Sequence, residues 1–263
     1  MTSPALPSVQ KQIRGFLFDV DKTLTNSKGE VSQYTQQVIR RLEDKGFAVG
    51  VCTGRGYARV FSHILPYFAA QSLHVVSGGS EVVTTTGERQ FSEPLSAAQA
   101  QALIEAAQRF QVEFLFDAGA ETYGSPRFVN EFQLRPQSEY QGGTIPNLVL
   151  YYLTQPFRDW ITAQEEFEVI EHESAMLNTT LFDVTAKGVN KARGVQEWAK
   201  LQNLAPGVIA GFGDSYNDLS FLSAVGWGVA MGNAVPELQQ QAQHIIGHTD
   251  EDGLAHYLEE NWL

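Results

Sequence analysis

Cysteine is almost absent: Cys52 is the single one in 263 residues. One thiol cannot close an internal disulfide, which fits a reducing compartment and an expected cytoplasmic location. Long apolar runs are missing as well. None approaches the roughly 20 residues that span a bilayer, so no membrane partner is expected. The opening segment MTSPALPSVQKQIR lacks the apolar stretch of a signal peptide. Basic residues are scarce, 18 against 30 acidic ones, for a net charge of -12. A phosphate-backbone binder needs basic surface, so nucleic acid is not an expected partner either. There is no internal repeat and no low-complexity tract.

The chain does have a core's worth of apolar residues, 43% hydrophobic and 11% aromatic. That suffices for one large domain or two modest ones. Short apolar runs alternate with helical periodicity. IRGFLF, FAVGVC and LHVVS read as strands. Ser32 to Lys45 reads as a helix with Tyr34, Val38, Ile39 and Leu42 on one face and Gly46 as its stop. Nearly continuous apolar strands between helices predict a parallel sheet covered on both faces. The middle of the chain differs. EVVTTTGERQF predicts a hairpin, and Ser96-x-x-Gln99 opens a helix to Phe110. VEFLFD, NLVLYYLT and LNTTLFDVT alternate polar and apolar residues, with a helix around Phe157 to Glu166. An inserted α+β domain is therefore expected at about 82–182. The first pattern then resumes: a helix from Asn190 to Leu201, the strand GVIAGFG, a helix from Ser215 to Ala224, the strand GWGVAMG, and a helix from Pro236 to Ile246.

The strand at Phe16–Phe18 runs straight into Asp19 and Asp21. A polar turn is one reading, since aspartate bonds nearby amides. A calcium loop is a second: Asp19, Asp21, Thr23 and Glu30 fall at ligand positions, but Leu24 stands where the loop needs glycine. The third is a nucleophile site. Ligands of open α/β sheets bind beyond the carboxyl ends of the strands. There Asp19 could attack phosphorus and Asp21 could serve as acid and base. Two carboxylates repel a phosphate, so this reading demands a cation and further donors. The chain offers them. Thr53 and Gly54 end the second strand in VCTGRG. Lys187 and Lys191 open a helix, where a cation opposes the dipole unless an anion binds. Asp214, Asn217 and Asp218 follow another strand in GFGDSYND and are hard oxygen donors of the kind magnesium prefers.

With these motifs the sequence resembles the haloacid dehalogenase superfamily of phosphatases. It carries DVDKT, the threonine of VCTGR, the lysine of GVNK, and GDSYND. The insert resembles a C2 cap, of the C2B type. MGNA at Met231 to Ala234 and TDEDGLA look like the Cof-like branch. The resemblance implies an α/β fold: a doubly wound, Rossmann-like core of residues 1–81 and 183–263 with a cap at 82–182. It implies Asp19 as nucleophile and Mg²⁺ ligand, and Asp21 as acid/base giving its backbone carbonyl to the metal. Thr53, Gly54, Lys191 and Asn217 would hold the phosphoryl group. Asp214 would be the third protein ligand, and Asp218 would support Lys191 or metal-bound water. The implied partner is a small phosphorylated substrate, by analogy a sugar phosphate; phosphoglycolate, phosphoglycerate esters of sugars, and flavin or pyridoxal phosphates stay open. A phosphomannomutase-like phosphotransferase and a non-catalytic sensor of a phosphorylated ligand are the rival functions.

Two positions depart from the family pattern. Lys22 replaces the glycine common after the second aspartate, and Ser77-Gly78-Gly79-Ser80 replaces Asn-Gly-Ala. The second departure leads into the cap and bears on substrate choice. Cys52 is expected to be a buried, inert thiol, because a cysteine phosphatase would need arginine where this chain has Ala58. His244 and His248 share a helical spacing but no accompanying carboxylate motif. Arg55 could meet substrate or pair with a carboxylate.

Overall fold

The computed structural model describes residues 12–174, 177 and 179–263. Most of the opening segment read above for a signal peptide lies outside them, as does Asn178 of the expected strand LNTTLFDVT. No helix among the described residues is long and apolar enough to cross a membrane.

Along the chain, strand β1 is Gly15–Phe18, helix α1 Gln33–Asp44 and β2 Ala48–Val51. Ser32 caps α1 by accepting from the Thr35 amide, and Val38, Ile39 and Leu42 are its buried face. β3 (Leu73–Val76), β4 (Glu81–Thr84) and β5 (Arg89–Ser92) form an antiparallel sheet. The insert follows: α2 (Ala97–Arg109), β6 (Glu113–Ala118), β7 (Glu121–Gly124), α3 (Pro126–Phe132), β8 (Arg135–Pro136), β9 (Leu148–Tyr151), α4 (Gln155–Thr162), β10 (Phe167–Ser174) and β11 (Thr179–Ala186). The chain ends with α5 (Lys191–Leu201), β12 (Ile209–Gly213), α6 (Leu219–Ser223), β13 (Trp227–Ala230), α7 (Pro236–Gln241), β14 (His244–Ile245) and α8 (Gly253–Trp262).

Five strands form a parallel sheet in the order β14-β13-β12-β1-β2. A parallel bridge from Cys52 to Val75 carries the order on to β3. β1, β12 and β13 are buried along their whole length, as expected of strands covered on both faces. Helix α1 packs with α8, and α5 with α6. Phe16, Phe18, Val51, Phe212 and Trp198 belong to the core cluster around this sheet. The insert has its own six-stranded sheet, β10-β11-β9-β6-β7-β8. One face packs Phe114, Phe116, Leu150 and Phe182 against Leu103 of α2 and Phe157 of α4. The expected α/β class and the added α+β unit are both present.

Several elements differ from the sequence reading. The helix from Pro236 stops at Gln241, and His244–Ile245 pair with β13 as an edge strand. His244 and His248 therefore share no helix. The helix expected from Ser215 begins as a 3-10 turn at Tyr216–Asp218 and becomes α-helical only at Leu219. Strand β10 was not anticipated, because the alternation begun by Phe167, Glu168 and Val169 breaks at Ile170 and Glu171. The hairpin β4–β5 packs by Val82, Val83 and Phe91 into the cluster of the parallel sheet.

His74 on β3 gives the core a measurable acid sensitivity. It is fully buried. The Val51 amide donates to its Nδ1 (3.3 Å), and its Nε2 lies 2.8 Å from Thr85 Oγ1. The Thr85 hydroxyl spends its proton on the Ala69 carbonyl. The ring is therefore neutral, with its proton on Nε2. Burial pushes its pKa from 6.5 down to about 3. A pKa depressed on folding means that the unfolded chain binds the proton first. The stability held by neutral His74 is full above pH 6.5 and is lost as the pH falls toward 3, by up to about 1.4 kcal/mol per pH unit. Urea midpoints are expected to fall across this window, and to fall less steeply in His74→Asn. Parallel curves for the two proteins would rule His74 out as the cause.

Candidate active site

The chain leaves the sheet at the carboxyl end of β1 and brings its polar residues together there. The Asp19 amide still donates to the Phe212 carbonyl (2.9 Å), so its position is fixed by the strand pairing. Asp214 follows β12, the strand beside β1. Thr53 follows β2 on the other side, tied by its amide to the Val75 carbonyl (3.0 Å). Lys191 comes from the first turn of α5, which Asn190 caps. Gly79 lets the turn after β3 press against that helix end: its φ is +103°, and a Cβ there would lie 1.9 Å from the Asn190 carbonyl oxygen.

Lys191 Nζ donates to Asp19 Oδ1 and to Asp218 Oδ1, both at 2.6 Å, and lies 3.5 Å from Asn217 Oδ1. Asp218 is fully buried, and its Oδ2 accepts the amides of Asp214 and Ser215 at 3.0 Å each. Both of its oxygens are thus committed to holding Lys191 and the loop. Asp214 Oδ1 accepts from Thr23 Oγ1 (3.2 Å). Carboxylate oxygens of Asp19, Asp214 and Asp218 lie within 4.8 Å of one another.

Three buried carboxylates against one ammonium leave negative charge uncompensated. Burial, partly offset by Lys191, pushes the Asp19 pKa up to about 7. Burial and the neighbouring Asp19 and Asp218 push Asp214 up to about 8. Burial works to lower the Lys191 pKa, but Asp19 and Asp218 outweigh it and hold the ammonium charged. Such a cluster is suited to a cation with hard oxygen ligands. Asp19 Oδ2 and Asp214 Oδ2 accept no hydrogen bond among the described residues and are free to face one.

Of the residues named from sequence, Asp19, Lys191, Asp214, Asn217 and Asp218 meet through these contacts. Gly54 lines the same cleft as Lys191 and Asn217. Asp21 points away into a bidentate pair with Arg55, Nε to Oδ2 at 2.9 Å and Nη2 to Oδ1 at 2.5 Å. Lys187 stands apart, exposed, 3.8 Å from Glu168. Glu30 is exposed and its amide bonds Asn26, outside the cluster, so the calcium-loop pattern does not assemble. Cys52 is buried and its thiol pushed up by burial, as expected of an inert one. Sequence reasoning missed Thr23 as the partner of Asp214, though it stands in the same DVDKT motif.

It also missed two residues of the insert. Asp183 of β11 lines the cleft. Asn147, just before β9, donates from Nδ2 to Asp183 Oδ1 (2.6 Å) and to the Gly54 carbonyl (3.2 Å). No signal separated them from the other polar residues of alternating strands.

The model of the haloacid dehalogenase-like hydrolase family matches residues 16–258. The chain is 25% identical over 263 residues to the HMP-PP phosphatase of Cronobacter sakazakii, covering 94% of each chain. Among solved structures, a haloacid dehalogenase-like hydrolase from B. subtilis aligns with a TM-score of 0.80 at 20% identity, over 94% of this chain and 99% of that one. A sugar phosphatase of haloacid dehalogenase subclass IIB aligns with a TM-score of 0.77 at 18% identity, over 94% and 98%. These likenesses show the shared fold. Together with a family match that runs through every one of the four motifs, they place the chain in the haloacid dehalogenase-like hydrolase family.

Proposed function

We propose that this protein is a magnesium-dependent phosphomonoesterase that works through an aspartyl-phosphate on Asp19. The observation that carries the reading is Lys191, buried and held at 2.6 Å by both Asp19 and Asp218, with Asp214 beside them. A purely structural lysine has no need of this excess of carboxylates.

Asp19, Asp214 and the backbone carbonyl of Asp21 would hold Mg²⁺, all hard oxygen donors. Bound there, the ion supplies positive charge against which a phosphate dianion can approach the carboxylates. Asp19 Oδ2 attacks phosphorus, and the bond to the leaving oxygen breaks. Asp21 gives that oxygen a proton, then takes one from the water that hydrolyses the acyl phosphate. Arg55 has to release Asp21 before either transfer. Lys191, Thr53, Asn217 and the Gly54 amide orient the phosphoryl oxygens.

The insert serves as the cap, which we assign to the C2B type. Its sheet ends at Ala186, and the hairpin through Ser92 packs with the core. We therefore set the cap at about 93–186, a whole hairpin later at its start than the 82–182 expected from sequence. A sugar phosphate is the favoured substrate class and the cytoplasm the favoured location.

The test is phosphate release from a panel of phosphorylated metabolites. Release with Mg²⁺ is expected to fall by at least about a hundredfold in EDTA and to return on adding the metal back. An isomerised sugar phosphate with no free phosphate would favour the mutase instead. Binding without turnover would favour the sensor.

A further inference from the structure

The cap face turned toward the cleft carries a set of acceptors that the reaction itself does not use. Strand register puts Asp117, Val149, Asp183, Ile170 and His172 on one face of the insert sheet. The opposite face is the packed one, with Phe116, Leu150 and Phe182. Asp183 reaches so close to the core loop that a Cβ on Gly54 would lie 2.5 Å from its Oδ2. That position is within the cleft lined also by Ile170, Lys191 and Asn217.

Three polar atoms of the insert at or beside this face are left over, and so is Nη2 of Arg59. Asn147 is fully buried; its Nδ2 serves Asp183 and Gly54, while its Oδ1 has no partner. His172 Nε2 is buried without a partner. Asp183 Oδ1 accepts from Asn147, and its Oδ2 accepts nothing among the described residues. Asn147 Oδ1 and Asp183 Oδ2 are acceptors, and a buried acceptor left unmade costs about 1–3 kcal/mol, so a ligand that donates hydrogen bonds gains by filling those two places. A ligand carrying a second anionic group meets the Asp183 carboxylate instead. That carboxylate has no ion pair of its own among the described residues, and Lys191 in the same cleft is committed to Asp19 and Asp218. Arg59 on this side is paired with Asp117 (3.2 Å), and Arg55 with Asp21.

Resting on the phosphatase reading above, we propose that Asp183, oriented by Asn147 and flanked by His172, is the specificity determinant for the leaving group. It selects an uncharged group rich in hydroxyl or amine donors and rejects one bearing a carboxylate or a second phosphate. Asp183 is a binding residue and takes no part in the proton transfers.

The experiment compares kcat/KM for glucose 6-phosphate and 3-phosphoglycerate, with p-nitrophenyl phosphate as a third probe, in wild type and Asp183→Asn. Wild type is expected to favour glucose 6-phosphate over 3-phosphoglycerate by at least tenfold. In Asp183→Asn that ratio is expected to fall by at least tenfold, chiefly through KM. A residue that merely docks the cap would lower all three probes together and leave the ratio unchanged, and that result overturns the proposal. If the variant does not fold, the wild-type ratio decides: a preference for 3-phosphoglycerate, or none, overturns it. A wild type silent on all three probes fails the phosphatase reading and the inference with it. An active wild type with a flat ratio fails the inference alone.

Discussion

Asp19→Asn is expected to cut phosphate release by at least about a thousandfold and to leave the protein folded. The nucleophile has no substitute nearby. Asp218 spends both oxygens on Lys191 and the amides of Asp214 and Ser215, and Asp214 accepts from Thr23. An amide at position 19 still accepts from Lys191, so the geometry persists while the attacking carboxylate is lost.

Stability should move the other way. Burial pushes the Asp19 pKa from 3.8 to about 7. A carboxyl whose pKa is raised on folding weakens the fold as the pH rises past its unfolded value, because the native state gives up its proton reluctantly. The substituted amide never ionises. In EDTA the variant is therefore expected to melt above wild type at pH 8, by more than about 1 kcal/mol, with a smaller difference at pH 5. Mg²⁺ should raise the wild-type melting temperature more than the variant's, since the variant has lost a ligand. A variant that melts well below wild type at pH 8 would show that the Asp19–Lys191 attraction outweighs the burial cost.

The site was legible where chemistry and strand ends coincide. Asp19, Thr53, Lys191 and Asp214 each follow an apolar strand or open a helix, and the parallel sheet brings those ends together. Five of the named residues meet through direct contacts for that reason. What stayed hidden depends on the second sheet. Asp183 lies in an alternating strand and Asn147 just before another, and such polar residues look alike until the register shows which face meets the core. That Arg55 could pair with a carboxylate was expected, but that the carboxylate is Asp21 could not be read, since the pair crosses between two loops. The edge strand at His244–Ile245 is short enough that the preceding helical pattern masked it. Strand β10 was hidden by its acidic residues, Glu168 on one face and Glu171 and Glu173 on the other, which leave neither face a clean apolar alternation. Local pattern locates elements; the contacts between units of a two-sheet protein arise from packing that no single segment encodes.

Lys191→Met should be the most destabilising single change in the site, by about 3–5 kcal/mol at pH 8 without metal. The side chain is almost entirely buried and is the sole cation in contact with the cluster among the described residues. Removing it strands Asp218 Oδ1 and Asp19 Oδ1 without their donor and leaves three carboxylates facing one another. Methionine fills the volume, so the loss reports charge and not a cavity. Lowering the pH should recover part of the stability, because protonation of Asp19 and Asp214 removes the repulsion. Combining the change with Asp19→Asn should also recover part of it, giving a coupling energy that the single variants do not sum to. Activity should fall by at least about a hundredfold even with Mg²⁺, since the phosphoryl oxygens lose a fixed positive charge. If instead Lys191→Met melts within about 1 kcal/mol of wild type and the double variant is simply additive, the carboxylates are not balanced by Lys191. The charge argument for a phosphoryl site at this strand end would then have to rest on the cation alone.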